Sequence, residues 1–133
     1  MSENLDLVRS IYADWERGVF GRTDWGDPAI EFVVPDGPEP GSWTGVAAMA
    51  VATRDYLLAW EGFRWVADEY RELDAERVLV LASRAGRGRR SGLEVEQIAT
   101  QGASLFQLRD GKVTRLAHYW DRDHALADLG LEE

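Results

Sequence analysis

The sequence predicts an α+β fold in which N-terminal helices pack on the concave face of one strongly curved, mainly antiparallel sheet. Three observations predict it. Apolar residues recur every three or four positions in two stretches before Gly62, and every second position in much of the chain after it. Helical stretches come first and strand stretches follow in a block, the order of an α+β chain and not of an alternating α/β one. Asp110-Gly111, set between two alternating runs, is a tight-turn signal that makes the last two strands antiparallel neighbours.

The first helix follows from the stripe Leu5, Val8, Ile11 or Tyr12, Trp15 and Val19, with Ser2 as its cap, Glu3 and Asp6 in its first turn and Gly18 as its stop. Ala29–Val34 reads as a short strand. Residues 35–45 hold three prolines and three glycines and read as a loop, with Asp36 and Trp43 hanging over whatever lies beneath. A second helix is expected from Val46 to Trp60, capped by Thr44 and closed by Gly62. Phe63, Trp65 and Ala67 then alternate with Arg64, Val66 and Asp68, and Val78–Leu81 is a continuous aliphatic run, so two strands meet near residues 73–76. Gly86–Gly92 reads as a hairpin tip with its arginines in water. Leu93–Arg109 reads as one long strand, or as a strand with a bulge near Gly102.

Lys112–Trp120 is the last strand. Strict alternation puts Thr114, Leu116, His118 and Trp120 on one face and Val113, Arg115, Ala117 and Tyr119 on the other. Asp121 caps a short helix closed by Gly130, with Leu131 packing back beneath it.

Composition narrows the function. The 133 residues read as one domain spanning 1–133, without an internal repeat. With 24 acidic and 15 basic residues the formal charge is −9, a field that repels phosphate backbones and anionic lipid, so neither nucleic acid nor membrane is an expected partner. No stretch has the length of an apolar membrane span, and no leader pattern opens the chain. Cysteine is absent, which excludes disulfides and thiolate metal sites and suits a reducing cytoplasm. Neither His118 nor His124 has zinc-ligand spacing, and no nicotinamide, flavin or phosphate motif occurs, so neither a metal nor a cofactor is expected. Six tryptophans fill either a core or a ligand cavity.

Residues 4–18 in the first helix, Trp43-Thr44-Gly45, Ser91–Glu96, Leu108–Val113 and Asp121–Leu131 together resemble, in order and spacing, the SnoaL-like branch of the nuclear-transport-factor-2-like superfamily. The resemblance implies a conical pocket for a small apolar or polyketide-like molecule, and a homodimer formed through the sheet. It also implies a lining of Trp15, Phe32, Trp43, Trp60, Gly102, Ser104, Phe106, Leu116 and Trp120.

The fold carries many chemistries, so the site must decide. Ketosteroid isomerase relatives place a tyrosine, an oxyanion acid and an aspartate base where this chain has Ile11, Ser104 and Phe32, and that set is therefore missing. The enzyme reading is built on His118 as general acid or base, assisted by Tyr12 and by Asp24 or Asp36. It removes a proton α to a carbonyl, leading to isomerisation, dehydration or cyclisation. The alternative is a noncatalytic binding or dimerisation module whose cavity only holds an apolar ligand.

Overall fold

The computed structural model describes residues 3–36, 40–58, 60–88 and 97–131. The expected cap at Ser2, the tip of the arginine hairpin and the side chain of Trp60 lie outside the described residues. The elements run α1 (Glu3–Glu16), β1 (Gly26–Val34), β2 (Gly41–Thr44), α2 (Val46–Leu58), β3 (Trp60–Asp74), β4 (Arg77–Gly88), β5 (Gln97–Arg109), β6 (Lys112–Tyr119) and α3 (Arg122–Asp128). The strands form one open six-stranded sheet in the order β2-β1-β6-β5-β4-β3, antiparallel except where β1 runs parallel to β6. The fold is the predicted α+β cone.

Its two faces hold two cores. On the concave face Val8, Ile11, Tyr12 and Trp15 of α1 and Met49 of α2 meet Ile30, Phe32, Trp65, Val78, Val80, Phe106 and Leu116. On the convex face Ala125 and Leu126 of α3 cover Leu79, Leu81, Leu105, Ala117 and Tyr119. The alternation of Val78, Val80 and Ala82 with Leu79 and Leu81 is the pleat dividing one strand between both cores.

Local chemistry sets the element ends. α1 stops because Gly18 turns to φ 82°, letting Gly18 N–H bond Trp15 C=O and Val19 N–H bond Asp14 C=O. The same motif closes α3 at Gly130, whose successor Leu131 bonds Leu126 C=O and joins the convex core. Asp121 caps α3 by accepting from Asp123 N–H. The Asp110-Gly111 turn has φ of 52° and 77°, both positive as a two-residue hairpin requires.

Four expectations need correction, and the alternative left open at Gly102 is decided. Residues 35–45 are not wholly loop: Gly41–Thr44 pairs with β1, setting Trp43 opposite Phe32. The helix before Gly62 ends at Leu58, and Gly62 lies inside β3 at a register irregularity. Gly45, not Thr44, opens α2, since its C=O accepts the bond from Met49 N–H. Gly102 is no bulge: β5 stays in register with β4 there, and an added Cβ would lie 2.5 Å from the Tyr119 carbonyl oxygen. A close backbone approach explains that glycine.

The fourth correction bears on function. Val113 belongs with Leu116 in the concave core, although strict alternation assigns them opposite faces. The cause is a bulge: Leu108 pairs with Val113 but Gln107 pairs with Arg115, leaving Thr114 as an extra residue. Beyond it the register brings Ser104 directly opposite His118.

Candidate functional site

Because directly opposed residues share a face, Ser104 and His118 project together onto the concave side. Ser104 Oγ lies 2.7 Å from His118 Nδ1. Above them α1 brings the Tyr12 hydroxyl to 2.6 Å from Ser104 Oγ, and β3 brings Trp65, whose Nε1–H donates to the Tyr12 oxygen at 2.9 Å. Four elements thus meet in one hydrogen-bonded chain. Around His118 stand Trp15 and Phe32, with ring centroids at 5.4 Å each, and Trp65 at 5.8 Å.

The direction of the chain follows from counting protons. An indole N–H only donates, so Tyr12 accepts from Trp65 and must place its own proton elsewhere. Tyr12 is fully buried, and among the described residues Ser104 is its remaining partner, so Tyr12 donates to Ser104. Ser104, also fully buried, in turn donates to Nδ1 of His118. His118 is therefore the neutral tautomer carrying its proton on Nε2. Reversing the last bond strands a tyrosine or serine proton in the core, at a cost of about 1–3 kcal/mol.

Electrostatics agree with a neutral imidazole. Burial, and then the nearby Arg84 charge, push the His118 pKa down from 6.5 to about 3. Burial raises the Tyr12 pKa well above the usual phenol value, although Ser104 and Trp65 both favour its ionised form. The tyrosine keeps its proton. The chain ends on an indole that cannot release one, so it is a lock on the imidazole and not a proton wire.

His118 nevertheless keeps part of its surface accessible, and Nε2 has no protein hydrogen-bond partner among the described residues. Trp43, Tyr56, Phe63 and Trp120 are likewise half-buried along the same side of the cone. A neutral N–H held in an aromatic surround suits a carbonyl oxygen or the negative oxygen of an enolate. As a general base at Nε2, His118 would need its lone pair there, which the Ser104 bond opposes.

The expected lining divides by depth. Ser104, Phe106 and Leu116 are sealed and form the floor, with Trp15 and Phe32 nearly closed above them. Trp43 packs on Phe32 at 5.6 Å, and Gly102 gives the close strand approach already described. Trp120 caps the end of β6, its ring 4.2 Å from the Arg84 guanidinium carbon.

Neither carboxylate expected near His118 bonds to it. Asp36 accepts from Trp120 N–H at 2.7 Å, from Asp121 N–H at 3.1 Å and from His124 Nδ1–H at 3.0 Å. It clamps the loop after β1 to the start of α3. That bond is the leading cause of the raised His124 pKa. Asp24 is exposed, with its carboxylate 3.8 Å from Arg22.

Sequence reasoning missed Arg84, which lies just before the arginine-rich turn. It is in fact buried, with its guanidinium carbon 4.6 Å from the Trp65 ring on one side and Trp120 on the other. The available signal was its place at the end of the inward-facing series Val78, Val80 and Ala82. Burial lowers its pKa, and Tyr56, Tyr12 and Asp36 work the other way. A guanidinium stays charged through such a shift.

Two polar surface grooves lie at the β3–β4 and β5–β6 turns, lined in part by Glu76, Leu108 and Arg109, and do not include His118. Among the described residues no group of three or more His, Cys, Asp or Glu side chains is placed to hold a metal ion. Among them, too, no helix is long and apolar enough to cross a membrane.

No family model and no curated protein matches the sequence. Solved structures are similar in fold. An NTF2-like protein of unknown function from Burkholderia pseudomallei K96243 has a TM-score of 0.78 at 20% identity, covering 96% of this chain and 97% of its own. A protein described as a SnoaL-like polyketide cyclase, from Jannaschia sp. CCS1, has a TM-score of 0.72 at 17% identity, covering 96% and 89%. TerC, co-crystallised with polyporic acid, has a TM-score of 0.71 at 23% identity, covering 96% and 98%. The fold is that of the NTF2-like and SnoaL-like proteins, as the sequence resemblance implies.

Proposed function

We propose that this chain is a single-domain small-molecule pocket protein whose cone receives an apolar, polyketide-like carbonyl compound with its oxygen at His118 Nε2. The observation that carries the reading is the Trp65–Tyr12–Ser104–His118 chain, which fixes a neutral imidazole with its N–H left for a ligand. Developing negative charge on that oxygen is stabilised by a donor already in position, the role required in cofactor-independent isomerisation, dehydration or cyclisation. Similar folds described as polyketide cyclases, and the polyporic acid of TerC, support the ligand class. His118 acts in this reading as an electrophile, with Tyr12 and Ser104 positioning it.

A second reading is favoured by one observation: among the described residues neither Asp24 nor Asp36 bonds to His118. A donor without a base binds an oxygen and does no proton abstraction. The two readings separate in one experiment. Carbonyl compounds retained from cell extract are identified by mass spectrometry, and their α-protons are followed by NMR in deuterated buffer. Retention with enzyme-dependent exchange, both lost in His118→Asn, supports catalysis. Retention without exchange supports binding only, and equal retention by His118→Asn refutes the site.

A homodimer through the sheet is also proposed. The exposed Val66 on the outer face of β3 supports it, and sedimentation analysis tests it. The absence of cysteine supports a cytoplasmic setting, which fractionation of the source cells tests.

A further inference from the structure

Ser104 is the member of the buried chain whose direction its own chemistry does not fix. A hydroxyl donates or accepts, so beside a histidine it can hold either neutral tautomer. Its partners remove the choice. Tyr12 donates to it at 2.6 Å, and Ser104 donates in turn to Nδ1 of His118 at 2.7 Å, while the register of β5 and β6 keeps the two side chains opposed. A histidine that works as a base has the reverse arrangement, in which a carboxylate or carbonyl accepts from one ring nitrogen and the other keeps its lone pair. Here a donor occupies Nδ1, and the outer nitrogen is left with the proton.

What surrounds that N–H strengthens the effect. Trp15, Phe32 and Trp65 stand around the imidazole, with Trp43 packed on Phe32. Phenyl carbons offer a ligand no lone pair, and the single polar atom of an indole is itself a donor. Trp65 already gives its own to Tyr12. A ligand oxygen with free lone pairs therefore completes the site, whereas a ligand N–H directed at His118 meets a second donor. Two donors facing each other among aromatic rings leave both unsatisfied.

Resting on the pocket reading above, we infer that Ser104 sets the specificity of the site without touching the ligand: by holding the His118 proton on Nε2 it admits hydrogen-bond acceptors and turns away donors of the same shape. The ligand class is a flat ketone or related carbonyl compound that presents a bare oxygen, and an N–H heterocycle of the same outline is disfavoured. Selection thus lies in the direction of one hydrogen bond. It is made by a hydroxyl sealed in the floor, with the imidazole between it and the ligand.

Isothermal titration of the full-length protein at neutral pH with 1-indanone, an acceptor, and indole, a donor of similar size and flatness, tests the inference. The expected result is at least about fivefold tighter binding of 1-indanone, the least that one unsatisfied donor costs. Ser104→Ala frees the tautomer and lowers that ratio at least about threefold, with near-ultraviolet circular dichroism checking the fold. A merely structural role for Ser104 alters both affinities together and leaves the ratio as it was. Should that variant fail to fold, the two probes and nitrogen-15 NMR on the unaltered protein decide. The NMR is expected to show a protonated Nε2, a bare Nδ1, and a shift of Nε2 when 1-indanone is added. Indole binding as tightly as 1-indanone, or a ratio unchanged in Ser104→Ala, overturns the inference and leaves the pocket standing. A proton on Nδ1, an Nε2 signal indifferent to bound 1-indanone, or binding of neither probe at millimolar concentration overturns the pocket reading and the inference with it.

Discussion

Acidification tests the neutral state of His118 most directly. His118 has its pKa pushed down from 6.5 to about 3 in the folded chain. Between those values the unfolded chain binds a proton that folded His118 refuses, so this group's contribution is complete above pH 6.5 and is lost as pH falls toward 3. Each unit corresponds to about 1.4 kcal/mol, so by pH 4.5 the loss is about 3 kcal/mol. His118→Asn keeps an oxygen where Nδ1 stood and removes the titration. Urea unfolding of both proteins at pH 7.0 and 4.5 isolates the term, because groups common to both cancel. One of these is His124, with its raised pKa, whose contribution is present at low pH and fades as pH rises through its folded value. The expected outcome is an acid-induced loss about 3 kcal/mol larger in the wild type. An NMR titration of His118 near pH 6.5, or equal losses in the two proteins, refutes the reasoning.

Ser104→Ala strands the Tyr12 proton and should cost about 1–3 kcal/mol in urea unfolding; nitrogen-15 NMR should then show the His118 proton shared between its two nitrogens. Asp36→Ala removes the acceptor of two backbone N–H groups and of His124. It should cost about 1–2 kcal/mol and return the His124 pKa toward its ordinary value, read by proton NMR. Gly102→Ala drives a methyl against the Tyr119 carbonyl and should lower stability by about 1–3 kcal/mol, measured by thermal unfolding.

Local chemistry made much of this fold readable. The Asp110-Gly111 turn, the glycine stops at Gly18 and Gly130 and the Asp121 cap each act within a few residues, and the structure shows all of them. The Tyr12 stripe and the antiparallel pairing of the His118 strand were legible for the same reason. What escaped depends on distant partners. β2 is hidden by the prolines and glycines beside it and exists because β1 offers it an edge. The parallel pairing of β1 with β6 joins strands from opposite ends of the chain. Asp36 and His124 meet across 88 positions, so nothing near either residue announces the bond. Arg84 was passed over beside the arginine-rich turn that follows it, although its parity with Val78, Val80 and Ala82 pointed inward.

The extra residue at Thr114 has the longest reach. A pleated strand keeps phase as a wave of period two does, and the two-residue turn at Asp110-Gly111 sets that phase at Val113. Carried onward unbroken, the turn's register sets Ser104 opposite Ala117 and sends His118 to the convex side. Thr114 delays the phase by one step. The hairpin tip and the histidine thereby become separate decisions in one strand, the first made by the turn and the second by a single inserted residue.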